Sequence, residues 1–267
     1  MTQSITPEIE VRRINFEVPQ ESARYWCGNS AFKTHLLNSF TLLLPDIEQY
    51  LIRAVRQRLK FIDNPQLKQD VRGFIGQEAQ HSLQHSKFWD NLRASGYEID
   101  NYISWVRIVL FNTLERRLSL ELNLALGAGL EHLTTLFGEM ALEGDFLADA
   151  EPNLRKLFEW HAAEEIEHKS VVFDVLQNAS DSYLLRLVGM VISHIFIVGF
   201  FNLGLVMLLY QDKKLLDRNV WQEMIQFWFI KEKFIFRALS NCLKYCKKSF
   251  HPSQTDNLFL LKKFRTS

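Results

Sequence analysis

Apolar residues recur along this chain at helical spacing, and no stretch alternates apolar and polar positions long enough to make a convincing strand. The pattern predicts a succession of helices. The first twenty residues hold Pro7 and Pro19 and little periodicity, so they read as an arm. Residues 29–38 form a short helix that leads into the apolar run Phe40–Leu44. Pro45 then suits the first turn of a new helix, with Asp46 and Glu48 near its positive end, and this helix runs to about Phe61. Asp63-Asn64-Pro65 is a turn. A second helix spans 66–95 and closes at Ser95-Gly96. A third helical region covers 101–147, interrupted near Gly127–Gly129, and Asp149–Pro152 turns the chain into a fourth helix from Asn153 to Gln177. The fold class expected is all-α. A four-helix core covers 40–177, apolar and basic helices follow over 181–250, and residues 251–267 form a tail, all within a single domain over 1–267.

Composition adds three points. A chain of 267 residues and 31.4 kDa is ample for one domain with a large core, and 17 Gly plus Pro residues suit helices. The formal net charge is zero, which gives no global field for nucleic acid, yet twelve Lys/Arg against four Asp/Glu follow from Lys213 onward. That net of +8 must be balanced by −8 in the preceding part, and it suits an acidic partner or anionic surface. Cys27, Cys242 and Cys246 form no even framework and no signal peptide is recognisable, so a reduced, cytoplasmic protein is expected.

One stretch stands apart. Leu187–Tyr210 runs 24 residues without Asp, Glu, Lys or Arg and is followed by Lys213, Lys214 and Arg218. A bilayer crossing needs about 20 apolar residues. His194 and Asn202 interrupt the run, so a helix buried in the bundle or in a homodimer competes with membrane insertion. The basic, helically patterned segment from Lys231 to Arg265 is a candidate for lying on anionic lipid.

The candidate chemistry lies in two stretches. In Trp160–His168 (WHAAEEIEH), His161, Glu165 and His168 stand at i, i+4 and i+7, within roughly a 60° arc of one helix face. In Gln77–His85 (QEAQHSLQH), Glu78, His81 and His85 stand at i, i+3 and i+7. Carboxylate and imidazole on one stripe make a poor core and a good divalent-metal site. Two Glu-x-x-His pairs thus occupy separate helices, and the other two helices offer Glu48 and Glu131. The separations, 48 to 78 and 131 to 165, each straddle a turn near the midpoint and bring the carboxylates to one depth. Glu139 is the chief rival to Glu131. It lies closer to its turn than Glu165 does, a mismatch of roughly 9 Å along the axis. Glu131 also sits in LGAGLEHLTT, where an unpaired charge would be costly. His85 is a further candidate, as ligand or as a donor orienting one. His132 points about 100° away from Glu131 and reads as a packed core histidine. Glu164 and Glu167 read as solvated or paired with Lys or Arg, Asp174 is a candidate for orienting a ligand, and His35 and His251 read as surface residues.

One Glu from each of two helices, with Glu-x-x-His from each of the other two, is similar to the ligand set of ferritin-like di-iron or di-manganese carboxylate bundles. The chain also resembles the family catalogued as predicted metal-dependent hydrolases, on LLPDIEQYLIRAVR, FIGQEAQHSLQH, LEHLT, WHAAEEIEHKSVVFDV and SFHP at 249–252. That family favours Gly before the first Glu, where this chain has Ile47. The His-x-x-x-Glu-x-x-His pattern at 161–168 is similar to the di-iron arylamine N-oxygenases, and this likeness makes His161 a seventh ligand. The expected set is Glu48, Glu78, His81, Glu131, His161, Glu165 and His168, holding two metal ions, iron first and manganese or zinc as alternatives. The leading expectation is a di-iron oxygenase or oxidase acting on an apolar or aromatic organic substrate with O2 and an external electron donor. A metal-dependent hydrolase ranks second, and a non-catalytic ferritin-like protein handling metal or O2 third.

Overall fold

The computed structural model describes residues 9–16 and 23–261. Part of the expected N-terminal arm, and Lys262, Lys263 and Arg265 of the basic tail, lie outside the described residues. Among the described residues every regular element is helical, and the fold is all-α as expected. The helices are α1 (Ala31–Arg58), α2 (Pro65–Ala94), α3 (Asp100–Arg107), α4 (Leu120–Glu143), α5 (Pro152–His168), α6 (Val171–Ala179), α7 (Tyr183–Gln211), α8 (Arg218–Ile225) and α9 (Phe234–Tyr245). Wider π-helical turns extend α3 over Ile108–Glu115 and α8 over Gln226–Ile230. Local sequence explains the starts. Ser30, Asn64, Ser119, Glu151 and Ser182 each accept a backbone N–H of the first helical turn, and Pro65 and Pro152 follow two of them. α1, α2, α4 and the α5–α6 pair surround the site, and α7 packs along α4 and α1.

Three expectations change. First, α1 is continuous through Pro45. Proline removes one intrahelical hydrogen bond and frees the carbonyl four residues before it. That carbonyl, of Thr41, accepts the indole N–H of Trp89 on α2 at 2.8 Å, so the lost bond is replaced. Second, the 101–147 region breaks at 116–119, not near Gly127–Gly129. Asn123 closes that corner by donating its amide to the carbonyls of Glu115, Leu118 and Ser119. The glycines instead serve packing. A Cβ on Gly129 would stand 3.0 Å from Met190 Cα, and one on Gly189 would stand 2.4 Å from the Ala125 carbonyl carbon, so α4 and α7 touch backbone to backbone. Third, the expected helix 153–177 is two helices, parted at Lys169-Ser170 just after His168.

Tyr183–Gln211 is the one helix among the described residues long and apolar enough to cross a membrane. His132 is largely buried as expected, against Tyr245 and Phe250. His35 is not a surface residue: it is fully buried, and its Nε2 stands 2.9 Å from Asp212 Oδ2. Asp174 points away from the candidate ligands and pairs with His251 at 2.7 Å.

Candidate metal centre

The four central helices bring together every residue singled out as a ligand. Glu48 comes from α1, Glu78, His81 and His85 from α2, Glu131 from α4, and His161, Glu165 and His168 from α5, all buried. Their candidate ligand atoms fall into overlapping groups, each within 4.8 Å: Glu78, Glu131, Glu165 and His168; Glu48, Glu78 and His81; His81, His161 and Glu165; and Glu48, His85 and His161. Because Glu48, Glu78, His81, His161 and Glu165 each recur, the groups share one chamber. His168 Nε2 lies 3.1 Å from Glu78 Oε1 and 3.5 Å from Glu131 Oε2, and His161 Nε2 lies 3.2 Å from Glu165 Oε1.

The inward-facing atoms lack hydrogen-bond partners. Both oxygens of Glu48, Glu78 and Glu131, Glu165 Oε2, His81 Nδ1 and His168 Nε2 are buried without one. Unpaired buried carboxylates are expensive, and in a protein they are matched by cations. No Lys or Arg among the described residues pairs with any of these four glutamates. Four carboxylates with neutral imidazoles would balance two divalent ions, so the donor set fits the pair of metals expected from sequence. Burial first, then the charges of Glu78 and Glu165, holds the Glu48 carboxyl well above its usual range. Glu131 is raised in the same way, by burial and then by Glu165. At Glu165 burial acts upward, but the adjacent imidazoles of His161 and His168 outweigh it and hold this carboxyl well below its usual range. The direction at each residue follows from crowding four carboxylates and three imidazoles into one buried chamber.

The outer hydrogen bonds fix the imidazoles. His81 Nε2 donates to Glu164 Oε2 at 3.0 Å, which leaves Nδ1 to face the chamber. His168 Nδ1 donates to Gln77 Oε1 at 3.0 Å, which leaves Nε2 inward. Such partners orient ligand histidines and raise their basicity. His85 has both nitrogens engaged, with Thr41 Oγ1 at 3.1 Å and His161 Nδ1 at 3.2 Å, so it backs His161 within the protein.

Sequence reasoning missed this outer shell. Of the two readings of Glu164 and Glu167, solvated or paired with Lys or Arg, the structure shows the second: both are buried and bound to Arg12, at 2.9 Å and 2.6 Å, and what sequence did not show is that the pairs back the candidate ligands. Gln77 escaped notice altogether, although its position four residues before His81 on the same helix was a signal. Arg12 had no signal, because it acts from the arm, 152 residues before Glu164.

An apolar cavity of about 670 Å³, its open mouth included, reaches His161 from the α4–α5 side. Leu36, Phe40, Phe137, Met140 and Phe158 form its walls, with Thr134 and Glu232 as its other polar residues.

An all-helical bundle with a buried histidine–carboxylate chamber defines a metal-dependent class of protein. The sequence profile of the family described as "predicted metal-dependent hydrolase" matches residues 10–256, and the chain belongs to that family. The match covers the arm residue Arg12, the four central helices and α7 to α9. No curated protein and no solved structure matched in the same comparisons. The family description names hydrolysis, the reaction that sequence analysis ranked second.

Proposed function

We propose that the chain holds two divalent metal ions between Glu48, Glu78, His81, Glu131, His161, Glu165 and His168, and uses them to hydrolyse an apolar organic substrate. The observation that carries this reading is the set of inward carboxylate and imidazole atoms without partners. The choice of hydrolysis rests on the family description. Such a pair of ions, once bound, supplies Lewis acidity that polarises a scissile bond and acidifies a water molecule, or, if both are iron, the redox chemistry of O2.

The remaining work belongs to the chain. Glu164 and Gln77 hold the rings of His81 and His168 in one tautomer each. His161 stands between the chamber and the cavity, where a substrate's reacting group would meet the centre. The cavity's aromatic and aliphatic walls bind an apolar body and exclude bulk water from the reacting end.

A second reading is supported by the same cavity. A centre sealed inside a helical bundle beside an apolar pocket suits oxidation of an unactivated organic substrate by a di-iron pair of the ferritin-like kind. Metal analysis and optical spectroscopy of protein purified without added metal separate the two. The hydrolase reading expects about two zinc or manganese ions per chain, no spectral change with O2, and turnover of aryl esters. Two irons per chain with an O2-dependent band would replace it with the oxidase reading. Absence of stoichiometric metal, or full metal in Glu165→Ala, would remove both.

A further inference from the structure

The largest unexplained feature lies outside the metal centre. α7 buries one face against α4 and α1 but leaves a stripe of large aliphatic residues open to solvent. Leu184, Val188, Val191, Ile195 and Val198 recur every three or four residues along it, and Leu184 and Ile195 are each 70% exposed. α9 lies alongside, with the Tyr183 hydroxyl donating to the Cys246 carbonyl at 2.5 Å and His194 Nε2 2.8 Å from Cys242 Sγ. Its outer side exposes Ile235, Phe236, Leu239 and Leu243. The α8 region adds Trp221, Ile225, Phe229 and Ile230, also exposed. Soluble monomers rarely expose a contiguous apolar surface larger than a few hundred Å².

Charge selects the occupant. From Lys213 to Lys248 the chain carries nine Lys/Arg and three Asp/Glu. Of those three, Asp217 is taken by Lys214 and Glu223 by the Ser30 hydroxyl. Lys213, Lys231, Lys233, Lys244 and Lys247 form no ion pair among the described residues. A two-fold dimer through this face would set one basic surface against its copy. An anionic lipid leaflet instead meets it with opposite charge, while the aliphatic side chains enter the acyl boundary and the lysine stems reach back to the headgroups. The packing of α7 favours seating over crossing. Its Gly189 backbone is pressed onto Ala125 of α4, which ties the helix to the bundle that holds the metal chamber.

We propose that α7, the α8 region and α9 form a docking face that seats the protein flat on an anionic membrane surface. Phe227 and Glu232, which line the apolar cavity, lie on the same segment as the exposed Phe229 and Ile230. An apolar substrate dissolved in the leaflet therefore reaches the cavity at the edge of the docking face.

Sedimentation of the full-length chain with vesicles tests this without reference to metal or turnover. Vesicles of phosphatidylcholine with phosphatidylglycerol should pull the protein down, vesicles of phosphatidylcholine alone should not, and high salt should release it. The triple substitution Phe236→Ser, Leu239→Ser and Leu243→Ser removes exposed side chains only, so its circular dichroism and melting should match wild type. Its partition should fall at least ~tenfold, as should that of Lys233→Gln with Lys244→Gln and Lys247→Gln. Equal binding to both vesicle types, unchanged partition of either variant, or a stable detergent-free dimer that ignores vesicles would each overturn the proposal. Resistance to salt with release only by detergent would overturn flat seating in favour of insertion.

Discussion

At the scale of single residues, burial decides which groups take part in chemistry and which only pack. His132 shows the second case. It lies beside Tyr245 and Phe250, stands 3.2 Å from the Asn241 carbonyl, and burial lowers its pKa to about 4. The folded chain therefore takes up a proton at His132 less readily than the unfolded chain, whose histidines titrate near ~6.5. A depressed folded-state pKa in a base contributes stability that is present above about 6.5 and is lost as pH falls towards about 4. His132→Phe, which keeps the ring contacts, should remove that part of the acid sensitivity. The loss between pH 7 and pH 5 should shrink by on the order of 1–2 kcal/mol in urea denaturation. Equal slopes for wild type and variant would show that His132 titrates normally. That the seven candidates converge was legible at this scale, from helical spacing for those on α2 and α5 and from the matched separations across the turns for Glu48 and Glu131, whereas a seventh-ligand role for His161 came only from the resemblance. Glu164 was not, because spacing alone assigns it to the far side of α5, and only the neighbouring α2 and the arm make that side an interior.

At the scale of elements, the sequence showed helices but misplaced their joints, and each error has a local cause. Pro45 reads as a helix start because Trp89, which satisfies the Thr41 carbonyl that the proline frees, lies 48 residues from Thr41 on α2. If the indole replaces the missing backbone bond, Trp89→Phe should cost about 1–3 kcal/mol by stranding the Thr41 carbonyl. Adding Pro45→Ala restores an N–H four residues after Thr41 and should recover most of that loss. A double-mutant cycle in which the two changes simply add would refute the exchange. Gly127–Gly129 read as an interruption because glycine weakens an isolated helix. In the fold Gly129 lets α7 approach α4, with Gly189 answering it from the other side, while Gly127 faces Leu51 of α1 and Val172 of α6. Gly189→Ala puts a methyl 2.4 Å from Ala125 backbone, a contact that no rotamer change relieves. It should lower the melting temperature despite the gain in helix propensity, at a cost of about 1–3 kcal/mol as an overpacked core does. A rise in melting temperature would mean that α7 rides loosely on α4.

At the scale of the whole molecule, the extended segment 9–16 ties the chain's beginning to its centre. Without periodicity it carried no sequence signal, yet it is bound along α2 and α5. The Gln77 amide donates to the Glu10 carbonyl and the Gln84 amide to the Ile14 carbonyl, at 3.0 and 2.7 Å. Gly73 and Gly76 leave room for Ile9 and Val11, which a Cβ at either position would meet at under 3 Å. Arg12 then reaches Glu164 and Glu167 together. Glu164 accepts from His81, and Glu167 accepts from Gln77, whose other amide atom accepts from His168. One guanidinium thus anchors both imidazoles of the Glu-x-x-His pairs, each through an intermediate side chain. Arg12→Met keeps much of the stem's packing but deprives two buried carboxylates of the guanidinium they share. It should cost about 3–5 kcal/mol in chemical denaturation, and metal affinity in a chelator competition should fall roughly 10–100-fold. Combining it with Glu167→Gln separates the effects. Stability should partly return, because one of the two buried charges that Arg12 held is gone, while metal affinity should stay low, because Glu164 still lacks its anchor. Unchanged affinity in Arg12→Met would show that the rings of His81 and His168 are held by packing against Trp160 and Phe74 alone.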